Sequence, residues 1–261
     1  MAKKKQIADV QNRKDYRNID INKAGVKSIK YPVTVLDKKN KTQHTIANVN
    51  MYVDLPYHFK GTHMSRFVEI LNRYRQGINV KNLPTILNEM KKKLSAKSAH
   101  IEIEFPYFIE KSAPVSRSKS LMEYTCMLWG ALNDSVDICL GVEVPVTTLC
   151  PCSKEMSKKG AHNQRGIISI RVRFKKFFWI EDVIKIAEKS ASGEVYALLK
   201  RPDEKFVTEK AYENPMFVED IVRNVAQKLE KNPNITWFSV ESENIESIHN
   251  HSAYALVEKF L

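Results

Sequence analysis

The sequence predicts an α+β fold in which helices cover one face of antiparallel sheets, laid out as ββααββ twice. Three observations predict it. Several runs alternate apolar and polar residues with a period of two, the signature of half-buried strands. Between them lie pairs of segments with apolar residues at i, i+3, i+4 and i+7, the spacing of amphipathic helices. The order strand, strand, helix, helix, strand, strand then recurs after a break near Asn133–Ser135, without a residue-level repeat.

In the first half, Pro32–Asp37 reads as a short strand. Val49, Met51, Val53 and Leu55 alternate with Asn48, Asn50, Tyr52 and Asp54 as the next. Ser65 is placed as an N-cap for a helix carrying Phe67, Ile70, Leu71 and Tyr74 and stopped by Gly77. Pro84 can open a second helix, with Ile86, Leu87, Met90 and Leu94 on its apolar side and Lys91–Lys93 solvated. Ile101, Ile103 and Phe105 give a third strand, and Leu121–Leu132, with a less clean period, a fourth.

The second half opens on the long alternation of Val136, Ile138, Leu140, Val142, Val144 and Val146. Ile168, Ile170, Val172 and Phe174 follow, with Ser169, Arg171, Arg173 and Lys175 opposed. Ile180, Val183, Ile184 and Ala187 have helical spacing, as do Phe217, Ile221, Val222, Val225 and Leu229. Two last strands fit 236–241 and 252–260. The segment between those helices, Ser192–Asn214, is long and charged, as functional insertions often are. Open four-stranded sheets have exposed edges, so joining of sheets into a barrel by oligomerisation is expected. The domain reading is a basic, flexible arm over 1–30, one unit over 31–134 and a second over 135–261.

Composition bounds the function. The chain has 261 residues, 42 Lys and Arg against 30 Asp and Glu, and a net charge of +12. Nine basic and three acidic residues fall within the first 30, so this arm carries half of the excess. Only Tyr16 interleaves it with an aromatic ring, so nucleic acid is not the expected partner. The remainder suits a small polyanion. No stretch reaches the ~18 apolar residues of a membrane span, and the lysine-rich start lacks the apolar core of a secretory signal. With four Cys, a disulfide scaffold is not expected and a cytoplasmic location is. P-loop, Rossmann and nucleophile-elbow motifs are missing.

The densest chemistry lies between the first two strands of the second half. Cys150 and Cys152, spaced too closely to pair easily with each other, precede His162 in one connection. Thiolate and imidazole are ligands for Zn²⁺ and similar ions, so a metal site or a nucleophile is open here, as is a free cysteine pair beside a loop histidine. Cys126 and Cys139 fall in apolar patterns and are assigned to the core. Glu246, His249 and His251 lie between the last two strands, where they could shuttle protons, bind metal or form a solvated turn. Glu219 sits in the first turn of a helix, as a cap or as a fork for paired N–H donors. His63 and Arg66, with Lys60, precede another helix and could meet phosphate.

Taken together, these segments resemble the prokaryotic type IB GTP cyclohydrolases. The resemblance rests on VPVTTLCPCSKE (Val144–Glu155), GAHNQR (Gly160–Arg165), KGTHMSRFVE (Lys60–Glu69), RPDEK (Arg201–Lys205) and ESIHNH (Glu246–His251), and runs from about residue 31 to the C-terminus. It implies a tandem tunnelling fold, a homotetramer with sites at interfaces, and one divalent metal per site: Zn²⁺, Mn²⁺ or Fe²⁺. The implied reaction is GTP plus water to 7,8-dihydroneopterin triphosphate and formate, the first step of tetrahydrofolate synthesis, with metal-activated water attacking guanine C8. By position, Cys150, His162 and Glu204 match the metal ligands. Cys150, Glu246, His249 and His251 match the reacting group, and Glu219 matches the guanine anchor. His63, Arg66, Lys154 and Arg165 become triphosphate contacts, and the role of Cys152 stays open.

Overall fold

The computed structural model describes residues 9–11 and 13–261. Two compact units emerge. One comprises the described residues up to Glu104 together with Leu128–Ile138, the other Phe105–Met127 with Cys139–Leu261. This division differs from the expected boundary near Asn133–Ser135 in grouping Phe105–Met127 with the second unit. Part of the expected basic arm, residues 1–8 and 12, lies outside the described residues.

In the first unit, β1 (Ile21–Asp37) and β2 (Lys41–Leu55) form an antiparallel hairpin closed at Asp37 opposite Lys41. Asp37 accepts the N–H groups of Lys39 and Asn40 at 2.8 and 2.6 Å, which folds the turn. β1 begins well before the start expected at Pro32, because its first half is exposed and lysine-rich and shows no alternation. Its register shifts twice. Gly25 lies between the shifts, where a Cβ would meet the Met51 carbonyl oxygen at 2.0 Å, so only glycine permits the approach. The helices α1 (Met64–Tyr74) and α2 (Leu83–Leu94) follow. His63, not Ser65, is the N-cap of α1. Phe67, Ile70 and Leu71 of α1 and Ile86, Leu87 and Met90 of α2 are buried, as are Val49, Met51 and Val53 of β2. Each such side chain contributes roughly 1.5–3 kcal/mol by leaving water. β3 (Ala99–Ser112) pairs with β2, Ile101 opposite Met51, and β4 (Lys119–Leu132) lies beside β3.

The second unit takes the far parts of β3 and β4 and most of β5 (Val136–Leu149). A six-residue helix, α3 (Pro151–Met156), leads into β6 (Asn163–Phe174). Next come α4 (Ile180–Glu188), the two-residue β7 (Gly193–Glu194), α5 (Arg201–Glu213) and α6 (Val218–Glu230). The chain ends on the hairpin of β8 (Ile235–Ile245) and β9 (Ser252–Phe260). Strand order within this unit is β3-β4-β5-β6-β8-β9, with β7 paired to β5. The apolar stripes of α4 (Val183, Ile184, Ala187) and α6 (Ile221, Val222, Val225, Leu229) are buried. So are the even-numbered residues of β6 and β8: Ile168, Ile170, Val172, Phe238 and Val240. Helices therefore cover one face of a mostly antiparallel sheet.

The long, charged segment Ser192–Asn214 contains β7 and α5. Periodicity misses α5 because only Asp203 and Ala211 of its residues are buried. Its N-terminus is set by Pro202 and by the carboxylate of Asp203, which accepts the Lys200 N–H at 2.9 Å. The other Asp203 contacts reach Val115 and Ser116, whose N–H groups it accepts at 2.8 Å each, and the Ser116 hydroxyl at 2.6 Å. Burial alone would raise its pKa, but these donors hold the carboxyl well below the usual range. No helix among the described residues is long and apolar enough to cross a membrane.

Candidate active site at the ends of three strands

Two strand registers build the site. β5 and β6 pair with Leu149 opposite Asn163, and β6 and β8 with Arg165 opposite Ile245. Continuing each register by one residue sets Cys150 opposite His162, and Glu246 opposite Gln164. Opposed residues of an antiparallel pair share a face, as do residues two apart in a strand. Cys150, His162, Gln164 and Glu246 therefore lie on one face, which is the face that carries Ile168 and Ile170 into the core. The site sits where that core runs out.

Hydrogen bonds confirm the placement. The Cys150 N–H donates to the His162 carbonyl at 3.3 Å, one rung beyond the strand. Pro151 cannot continue the ladder, and the chain turns into α3 with Cys150 as N-cap, its Sγ accepting the Ser153 N–H at 3.4 Å. Ser153 Oγ in turn accepts the His162 N–H at 3.2 Å. His162 Nδ1 lies 2.9 Å from Gln164 Oε1, and Gln164 Nε2 donates to Glu246 Oε1 at 3.0 Å. Glu246 Oε2 and Ser247 Oγ stand 3.9 and 3.4 Å from the same Nδ1. The His162 and Glu246 side chains are only 13% and 12% exposed, shielded enough for this polar chain to hold its geometry.

Beneath it runs a short polar lane. Gly166 is opposed by Val146 and by Asn244, and a Cβ there would meet Asn244 Oδ1 at 2.7 Å and Thr148 Cγ2 at 3.3 Å. Asn244 Oδ1, Thr148 Oγ1 and Ser242 Oγ are buried and make no hydrogen bond among the described residues. Glycine at 166 is what admits the Asn244 amide to this face.

The remaining expected residues are distributed as follows. Glu204 is exposed on the first turn of α5, and Glu219 is exposed on the first turn of α6. The cap of α6 comes instead from Asp220, whose Oδ2 accepts the Phe217 N–H at 3.1 Å, which leaves Glu219 uncommitted to capping. His249 and His251 are exposed at the β8–β9 turn, rings stacked at 5.0 Å. Arg165 is exposed on β6. Lys154 is turned onto α5, donating to the Tyr212 carbonyl at 2.5 Å with its ammonium over the Tyr212 ring. In the first unit, Arg66 donates to the Lys93 carbonyl at 2.8 Å, and His63 Nε2 lies 3.3 Å from the Asp9 carboxylate. Cys126 and Cys139 are buried as expected, and Cys152 is exposed.

Among the described residues, no group of three or more His, Cys, Asp and Glu side chains gathers as a metal cluster, so Glu204 does not join Cys150 and His162 within one chain. Those two donors nonetheless suit a borderline ion, being a thiol at a helix N-cap and a half-buried imidazole with one nitrogen already engaged. Gln164 and Ser153 were not singled out from sequence. The signal for Gln164 is its spacing, two residues after His162 in a strand.

A family model described as type I GTP cyclohydrolase folE2 matches residues 7–255. GTP cyclohydrolase FolE2 of Syntrophus aciditrophicus is 63% identical over 97% of this chain and all of its own length. That of Geotalea uraniireducens is 63% identical over 97% of this chain and 93% of its own. Among solved structures, a uricase from Bacillus fastidious superposes with a TM-score of 0.56 at 8% identity, covering 94% of each chain. Urate oxidase from Bacillus subtilis 168 gives 0.52 at 10% identity, covering 91% of this chain and 98% of that one. These two likenesses concern the fold alone, whereas the family match spans residues 7–255 and the FolE2 proteins are 63% identical over nearly the whole chain: the chain belongs to the type I GTP cyclohydrolase FolE2 family.

Proposed function

We propose that this chain is a GTP cyclohydrolase that converts GTP and one net water into 7,8-dihydroneopterin triphosphate and formate, supplying tetrahydrofolate synthesis. The observation that carries the reading is the meeting of Cys150, His162 and Glu246 at adjoining strand ends, in a chain 63% identical to FolE2 proteins over nearly its whole length.

Cys150 and His162, with Glu204, would hold one divalent metal: Zn²⁺, Mn²⁺ or Fe²⁺. Such an ion supplies Lewis acidity and a nucleophilic water at neutral pH. The chain's own groups account for the remaining tasks. C8 must gain water, the imidazole ring must open, formate must leave, and a new ring must close. Each step moves a proton, and Glu246, held by Gln164 beside His162, is placed to take and return one. His249 and His251, exposed at the β8–β9 turn, would serve the same transfers once substrate covers them. Glu219 offers two carboxylate oxygens at a helix N-terminus for the paired N–H donors of the guanine edge. Arg165, Lys154, Arg66 and His63 would meet the triphosphate. The first two belong to the second unit, and Arg66 keeps donors beyond the one given to Lys93.

Assembly of copies as a homotetramer would complete the site. Two features support it: no third donor joins Cys150 and His162 within one chain among the described residues, and the edge strand β9 exposes Tyr254, Leu256 and Phe260. Four free cysteines fit a reducing cytoplasm.

The test is incubation with GTP and each of the three metals, reading formate and the fluorescence of oxidised neopterin. Turnover that requires metal and is lost in Cys150→Ala supports the reading. Full turnover by Cys150→Ala with metal bound would overturn the assignment of Cys150.

A further inference from the structure

We infer that Gln164 is a positioning residue, whose side-chain amide holds His162 in the Nδ1–H form and ties it to Glu246. The argument starts from what each group can donate. An ionised carboxylate only accepts, so the amide nitrogen of Gln164 must be the atom facing Glu246, at 3.0 Å. That orientation leaves Oε1 facing His162, at 2.9 Å, and an amide oxygen can only accept. The proton of a neutral His162 must therefore sit on Nδ1. Nε2 then carries the lone pair, which is the form in which an imidazole binds a metal.

The geometry leaves the amide little freedom to do otherwise. Gln164 is 8% exposed and opposed across β5 by Thr148. Flipping it would aim its oxygen at the Glu246 carboxylate, setting two acceptors face to face and losing that hydrogen bond in a buried place. Glu246 thus reads through Gln164 onto His162 without touching the ring, at 3.9 Å. Gln164 contacts neither substrate nor metal in this scheme. It sets which nitrogen is presented and in which direction.

The inference rests on the proposed role of His162 as a ligand, and the experiment separates the two. Long-range ¹H–¹⁵N correlation on histidine-labelled, metal-free protein reads the tautomer directly, and competition with a chromophoric chelator reads Zn²⁺ affinity. The unmodified protein is expected to show His162 as Nδ1–H. Gln164→Leu, close in size but unable to accept or donate, is expected to lose that preference and to bind Zn²⁺ about 10–100-fold more weakly. Gln164→Glu keeps an acceptor for Nδ1–H and should retain the tautomer, with an affinity nearer the unmodified protein than that of Gln164→Leu. An Nε2–H signal in the unmodified protein overturns the inference whatever the variants do. So does unaltered Zn²⁺ affinity in Gln164→Leu where His162→Ala has lost it. Unaltered affinity in both His162→Ala and Cys150→Ser would instead overturn the metal reading itself.

Discussion

Replacing Lys111 by methionine tests how the segment leading into α5 is held. The Lys111 ammonium lies 2.6 Å from Glu188 Oε1, 3.0 Å from Glu194 Oε2 and 3.0 Å from the Val195 carbonyl, so all three of its donors are used. The Tyr124 hydroxyl donates to the same Glu188 oxygen at 2.6 Å, and the Lys111 ammonium also sits over the Tyr196 ring at 4.3 Å. Lys111 is 9% exposed and Glu188 13%, so neither is rescued by solvent when its partner goes. Removing one member of such a buried pair typically costs about 3–5 kcal/mol. For a chain of this size that lowers the melting temperature by about 6–20 °C at neutral pH. The pH dependence gives a sharper check. Burial pushes the Glu194 carboxyl up, but Lys111, together with Lys210 and the Tyr196 hydroxyl, more than offsets this and holds it below its ordinary value. A depressed carboxyl contributes stability that is present above the unfolded pKa of about 4.3 and is lost as pH falls through the folded value. The gap between unmodified and Lys111→Met protein, followed by calorimetry, should thus be widest near pH 7 and narrow as pH falls below about 4. A melting temperature unchanged at pH 7, or a gap that persists in acid, would refute the account.

Other perturbations probe separate features. Asp203→Asn should flatten the acid limb of the stability curve. The depressed carboxyl of Asp203 stabilises the fold above an unfolded pKa of about 3.9, and that contribution is lost as pH falls from there, which urea unfolding between pH 2 and 6 would follow. Gly166→Ala should cost about 1–3 kcal/mol by forcing Asn244 or Thr148 aside, read from urea midpoints. Glu219→Ala should weaken GTP binding in calorimetric titration and leave the melting temperature nearly unchanged, since Asp220 supplies the cap; unaltered GTP affinity would count against the anchor.

Much of the sheet was legible because alternation survives wherever one face is buried. β2, β5 and β6 carry their apolar residues at every second position, and α1, α2, α4 and α6 have stripes wide enough to read. The first half of β1 was not legible, because an exposed strand needs no alternation. α5 was not, because it is anchored by one buried carboxylate rather than by an apolar stripe. The Cys150 to Arg165 motif stood out by residue type, but the link from His162 to Glu246 depends on a register joining residues 82 apart. The phosphate expectation for Arg66 arose from its position near a helix start; the Lys93 carbonyl that it caps, 27 residues away, leaves no trace in local sequence.

The same register that builds the core also selects the chemistry. Because successive side chains alternate between faces, a slip of one residue between β5 and β6 would turn Cys150 away from His162 while also moving Val144 and Val146 out of the core. A slip between β6 and β8 would likewise part Glu246 from Gln164 while exposing Phe238 and Val240. Burial of these apolar residues thus penalises every arrangement in which the polar chain fails to form. The polar residues themselves could not enforce it: among the described residues, Thr148, Ser242 and Asn244 leave buried atoms unpaired and oppose the packing. Stability is supplied by the apolar part of the sheet, and its margin holds four polar side chains in register at the strand ends.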